Sequence, residues 1–133
     1  MILLDSSAWI AYLRDRPRPV ADDVQRLLDD RFLEVHLCEP VVMELLAGAR
    51  GGELARVDRI VGGLPVAGLR ATLDFRAAAG LYQAARSEGA TVRSLVDCLI
   101  AAVAIRHGAQ VVHRDRDFDV LARVSPLDQR RLG

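Results

Sequence analysis

Residues 111–122 read "VVHRDRDFDVLA". An apolar run stops, three acids follow at alternate positions (Asp115, Asp117, Asp119), and an apolar-periodic stretch begins. With the preceding "AQ", the run reads as a buried strand, and "DFDVLARV" as a short helix. The N-terminus repeats the arrangement. "MILL" is a second apolar run, it stops at Asp5, and "SAWIAYLRD" follows with helical spacing of Trp9, Ile10 and Leu13.

Strands and helices alternate across the rest of the chain. "RDRPRPV" is a breaker, and "ADDVQRLLDD" is amphipathic, with Val24, Leu27 and Leu28 on its inner face. "FLEVHLCE" reads as the second strand, and Pro40 opens an apolar helix, "VVMELLAGA". "ELARVDRIVGG" is a short helix, "LPVAGL" a short strand, and "TLDFRAAAGLYQAARSEG" a long helix closed by Gly89. "SLVDCLIAAVAIRHG" is a nearly all-apolar helix, and "VSPLD" reads as a last strand. This order predicts one α/β domain over residues 1–133, with a mostly parallel sheet and helices on both faces.

Composition narrows the chemistry. Hydrophobic residues make up 51% of 133, enough for a core. The 18 basic and 18 acidic side chains cancel, which argues against a surface uniformly coated in positive charge. Every basic residue is arginine. Schiff-base, P-loop and receiver-type sites, which rely on lysine, are therefore excluded. Cys38 and Cys98 lie in apolar runs outside any CxxC, as buried thiols in a reducing compartment do. The N-terminus does not resemble a signal peptide, and no apolar run reaches the ~18 residues that span a membrane. A cytoplasmic protein without a membrane partner is expected.

The acids carry the functional signal. In a parallel sheet the carboxyl ends of the strands share one edge, where ligands bind. Asp5 and Asp115 are candidates for one pocket on that edge. Glu44 lies among apolar residues, in a helix greasy all round that should be buried. Such a carboxylate must neutralise, pair with an arginine or bind a cation. Asp97 fits a capping box with Ser94, or it can face a cation from the first helical turn. Asp-x-Asp-x-Asp begins like an EF-hand loop, but Val120 and Pro126 stand where glycine and glutamate belong, so that reading fails. Asp117 is either an N-cap or a secondary ligand, and Asp119 is expected to face water. The histidines show no zinc spacing, and no nucleophile motif is present. Four carboxylates remain: Asp5, Glu44, Asp97 and Asp115. Gathered at one sheet edge, they cannot all stay ionised without a cation, and all-oxygen ligation suits Mg²⁺ or Mn²⁺.

"LLDSSAWIAYL", "EPVVMELLAGAR", "SLVDCLIAAVAIRHG" and "VVHRDRDFDVLA", in that order, resemble a PIN-domain ribonuclease of the VapC toxin type. The resemblance covers essentially the whole chain. It implies a three-layer α/β/α fold with about five strands. It implies that Asp5, Glu44, Asp97 and Asp115 are catalytic and hold Mg²⁺ or Mn²⁺, with Asp117 assisting a second ion. Ser7 matches a supporting hydroxyl. His113 stands where many members carry Ser or Thr, so it would be the supporting group for Asp115. The implied reaction is hydrolysis of a tRNA or another structured RNA loop, with water attacking phosphorus and the 3′ oxygen leaving. Arg93, Arg114 and Arg116 are the candidate RNA-binding residues, as bidentate phosphate partners. The implied protein partners are a cognate VapB-type antitoxin, whose tail covers the active site, and a second copy in a homodimer. Two other readings compete: a catalytically silent PIN-like binding module, and a phosphatase or phosphoacceptor domain. The four acids favour the enzyme over the first. The missing lysine counts against the second.

Overall fold

The computed structural model describes residues 1–133. Its sheet has four strands: β1 (Ile2–Leu4), β2 (Val35–His36), β3 (Gln110–His113) and β4 (Asp128–Arg131). All pairings are parallel, in the order β2-β1-β3-β4. The two central strands carry the buried apolar runs, as parallel strands covered on both faces must. The edge strands are short or polar, which discourages pairing with another chain.

Seven helices connect them: α1 (Ser6–Arg14), α2 (Arg18–Asp30), α3 (Glu39–Gly48), α4 (Glu53–Gly63), α5 (Ala71–Ser87), α6 (Leu95–His107) and α7 (Arg116–Arg123). The β1–β2 crossover runs one way along the sheet, and the β2–β3 and β3–β4 crossovers run the other. Right-handed connections therefore put α1 and α2 on one face and α5 to α7 on the opposite one. Packing agrees: α1 lies on α2, while α5, α6 and α7 lie against one another. Thirty-five buried apolar side chains form one contiguous core. No helix is long and apolar enough to cross a membrane. Cys38 and Cys98 are buried free thiols, pushed up to about 12 and about 11 by burial, and are inert at neutral pH.

Several elements depart from the sequence expectation. The sheet has four strands rather than about five, because "LPVAGL" contributes a single bridge, Val66 to Leu37. Pro65 accepts from Leu37 but has no N–H to extend the ladder. The second strand is shorter than "FLEVHLCE", since residues Phe32–Glu34 form a 3-10 turn that leaves Leu33 90% exposed. The last strand begins where "VSPLD" ends. Ser125 donates its hydroxyl to Leu121 O at 2.7 Å, and Pro126 keeps this segment in a turn. α2 begins at Arg18, inside the expected breaker, because Pro19 fits a first helical turn. α3 is not buried all round. Only Pro40, Val41 and Leu45 are buried, and Met43 is 56% exposed.

Candidate active site

β1 lies between β2 and β3, so chain connections leave the sheet in opposite directions at the β1–β3 boundary. This is the topological switch point, where a crevice forms beyond the strand ends. Asp5 directly follows β1, and its N–H continues the ladder to Val112 O at 2.9 Å. It also caps α1: Oδ2 accepts from the Ser7 N–H at 3.2 Å and the Ser7 hydroxyl at 2.6 Å. Oδ1 is buried without a partner.

Asp115 lies beside it, two residues beyond β3. It caps α7 through Oδ1, which accepts from the Asp117 N–H at 2.9 Å. Ser7 joins the two strand ends, because its Oγ also accepts from the Arg114 N–H at 2.9 Å. The Asp115 N–H donates to His113 Nδ1 at 3.0 Å.

The expected capping box at α6 does not form. Ser94 Oγ accepts from the Val96 N–H at 3.2 Å, but the Ser94 N–H donates to Asp117 Oδ2 at 3.1 Å rather than to Asp97. Asp97, in the first turn of α6, is therefore free to turn toward the crevice. Asp117 is not the cap of α7, a role taken by Asp115. It is 1% exposed, and both its oxygens accept from the Arg93 N–H at 3.1 Å. Asp97, Asp115 and Asp117 present one oxygen each, all within 4.8 Å of one another.

Glu44 is half-buried on α3. It has no arginine partner, and Oε1 accepts from the Ser6 hydroxyl at 3.1 Å. Ser6 escaped the sequence reading, although its place beside Asp5 was a signal. Asp119 does not simply face water: it pairs with Arg131 at 2.6 Å and is 27% exposed.

Electrostatics tie these acids together. Burial pushes the Asp97 carboxyl up to about 9, helped by a hydrogen bond with Asp117 and the charges of Asp5, Asp115 and Asp117. Asp5 is raised by burial and by Asp115, against the hydrogen bonds from Ser7. Glu44 is raised by burial and by the charges of Asp5 and Asp115. Three carboxyls raised in this way, beside the Asp115 and Asp117 carboxylates, suit a hard divalent cation, which takes all-oxygen ligands. The partnerless Asp5 Oδ1 gives such an ion a free ligand atom.

Of the three expected arginines, Arg93 reaches the acids, but loosely. It stands 3.7 Å from Asp115 and 3.9 Å from Asp117 and is 64% exposed. Arg114 and Arg116 are exposed and make no ion pair. Arg116 lines a groove of about 470 Å³ with Arg123 and Arg131, neither of which the motifs suggested.

Comparison with known proteins adds the family context. A family model described as PIN domain matches residues 2–124. The chain is 52% identical to "VapC ribonuclease Mb1587" of Mycobacterium bovis and to "Ribonuclease VapC11" of Mycobacterium tuberculosis. Each match spans 128 residues, 96% of both proteins. Among solved structures, VapBC2 of Rickettsia felis, bound to a promoter DNA fragment, superposes with a TM-score of 0.77 at 18% identity, covering both chains fully. VapC20 of Mycobacterium tuberculosis, a sarcin-ricin loop cleaving toxin, gives 0.71 at 21% identity over 96% of this chain and 99% of that one. At these identities the two structures speak to the fold.

Proposed function

This chain belongs to the PIN-domain family and, within it, to the VapC ribonucleases; from that premise we propose a metal-dependent endoribonuclease toxin held in check by an antitoxin. The carrying observation is the convergence of Asp97, Asp115 and Asp117 within 4.8 Å, beside an Asp5 oxygen that has no partner. Asp5, Glu44, Asp97 and Asp115 would hold Mg²⁺ or Mn²⁺, with Asp117 closing one side. Such an ion, when bound, activates water and stabilises the leaving oxygen of a phosphodiester.

The chain's own residues supply the rest. Ser7 fixes Asp5 against Arg114, so the first acid enters the crevice in one orientation. Ser6 does the same for Glu44. Arg93, loosely paired with Asp115 and Asp117, and the exposed, unpaired Arg114 and Arg116 would grip the phosphates of a structured RNA loop, such as that of a tRNA. The antitoxin reading draws on the solved VapBC relatives. An apolar groove of about 310 Å³, lined by Trp9, Tyr12, Leu28, Phe32, Ile60 and Leu64, offers it a seat.

The test is incubation of the purified chain with total bacterial RNA in Mg²⁺, Mn²⁺ or EDTA, beside Asp97→Asn. Discrete cleavage that needs metal and disappears in the folded variant is expected. Inert wild type that also binds no Mn²⁺ by calorimetry would overturn the reading in favour of a silent binding module.

A further inference from the structure

His113 ends β3 and is fully buried, with its ring centroid 4.9 Å from that of Phe118. Its two nitrogens have different partners. Nδ1 faces the Asp115 N–H at 3.0 Å, and a backbone N–H can only donate. Nδ1 must therefore carry the lone pair, and Nε2 the hydrogen. Nε2 lies 2.6 Å from Gln129 Oε1, which accepts. The imidazole is held as one neutral tautomer by a residue on either side.

Gln129 lies on β4, paired with Val111, outside the residues 2–124 that match the family model. β4 is pinned to the same spot by the Leu132 N–H donating to His113 O at 2.8 Å. The consecutive N–H groups of Arg114 and Asp115 are thus gripped by two side chains, Ser7 and His113. Between them they set the backbone from which the Asp115 carboxylate projects.

We infer that His113 and Gln129 are positioning residues: the C-terminal strand orients the imidazole, and the imidazole orients Asp115 for its ligand role. The inference rests on the metal-nuclease reading above. The competing account is packing alone, since His113 fills space beside Phe118.

Two substitutions separate these accounts. His113→Asn places an amide oxygen where Nδ1 stood and keeps the acceptor for Asp115. His113→Gln places an amide nitrogen where Nε2 stood, keeps more volume, and loses that acceptor. Positioning predicts that Gln weakens Mn²⁺ binding by about 10- to 100-fold while Asn restores most of it. Packing predicts the reverse order, because Asn is the smaller residue. Gln129→Leu, on an edge strand, should weaken Mn²⁺ binding in the same direction as His113→Gln, though less. Affinity is read by calorimetry on protein shown to be folded. Imidazole ¹⁵N spectra of the metal-free wild type should show hydrogen on Nε2, and hydrogen on Nδ1 would overturn the inference. If His113→Asn binds no better than His113→Gln, the inference also fails. Wild type that binds no Mn²⁺ would instead sink the metal-nuclease reading, while the ¹⁵N spectra still test the hydrogen bonds.

Discussion

The carboxylate of Asp117 receives the backbone N–H of Ser94 at 3.1 Å, so the first turn of α7 is tied to the N-terminus of α6. The contact spans 23 positions in sequence. It gives Ser94 the partner that a capping box would have drawn from Asp97. One buried acid thus does structural work, which leaves its neighbour free to face the crevice.

Asp117→Ala should therefore destabilise the metal-free protein. It orphans the N–H groups of Arg93 and Ser94, which lie on an exposed and a half-buried residue, so the loss should be about 1 kcal/mol per donor, the low end of the range for buried groups. Asp117→Asn keeps an amide oxygen for Ser94 and removes a negative charge beside Asp97, so its stability in EDTA should stay close to wild type. Urea denaturation of both variants decides. Equal losses would mean that the charge, not the acceptor, holds α6 to α7.

Metal-free stability should fall as pH rises. The Asp97 carboxyl is pushed up to about 9 in the folded chain, from an ordinary 3.8. Between those values the folded state binds the extra proton, so the stabilisation is complete below about 4 and is lost on the way to about 9. The slope for one proton reaches at most about 1.4 kcal/mol per pH unit. Thermal melts in EDTA should give a lower Tm at pH 8.5 than at pH 5.5, and Asp97→Asn should flatten the trend. Mn²⁺ should raise Tm most at the higher pH, where the acids are ionised and need it. A wild-type Tm that climbs with pH in EDTA would contradict this account of the cluster.

Asp74 is the control acid. It is 1% exposed, like the site acids, but it is paired, accepting from Arg106 at 2.8 and 2.7 Å and from the Arg70 N–H at 2.7 Å. The Arg106 guanidinium holds its carboxyl below the usual range, the opposite direction from Asp97. Its stabilisation is therefore present above about 4 and lost in acid. Asp74→Ala removes the carboxylate that Arg106 and the Arg70 N–H donate to, and should lower stability even though Arg106 keeps its bond to Gly68 O. Mn²⁺ affinity should not change. A variant with weakened metal binding and intact stability would show that Asp74 had been misassigned.

Much of the site was legible because strand ends are legible. Asp5 and Asp115 each close an apolar run, and parallel strands bring such ends to one edge. Glu44 stood out as a lone charge in an apolar helix, although the helix is half-exposed and its partner is a serine. The role of Asp117 was not legible, because side chains at caps and side chains that reach across the fold share the same local pattern. Gln129 and β4 were hidden for another reason. "DQRR" is polar and exposed, and an edge strand of that kind carries neither alternation nor a β-branched residue. The Asp119–Arg131 pair depends on that strand and was hidden with it.

The arginines at the crevice rim make a prediction about salt. Binding that neutralises phosphates releases counterions, and for single strands log K falls with log[salt] by about 0.7 per phosphate. Arg93, just before α6, lies 3.7 Å from Asp115, and Arg116 follows Asp115 in the chain and opens α7. If each grips one phosphate, the Arg93→Ala, Arg116→Ala pair should flatten the slope by about 1.4. The measurement is RNA binding against salt in an Asp97→Asn background, so that the strand survives. Arg76→Ala, exposed on α5, serves as the charge control and should leave the slope unchanged. If the control flattens the slope as much as one rim arginine does, the chain binds RNA by diffuse charge and the rim has no special grip. A slope changed only by the rim pair would place the scissile strand across Asp115, between the two helix starts.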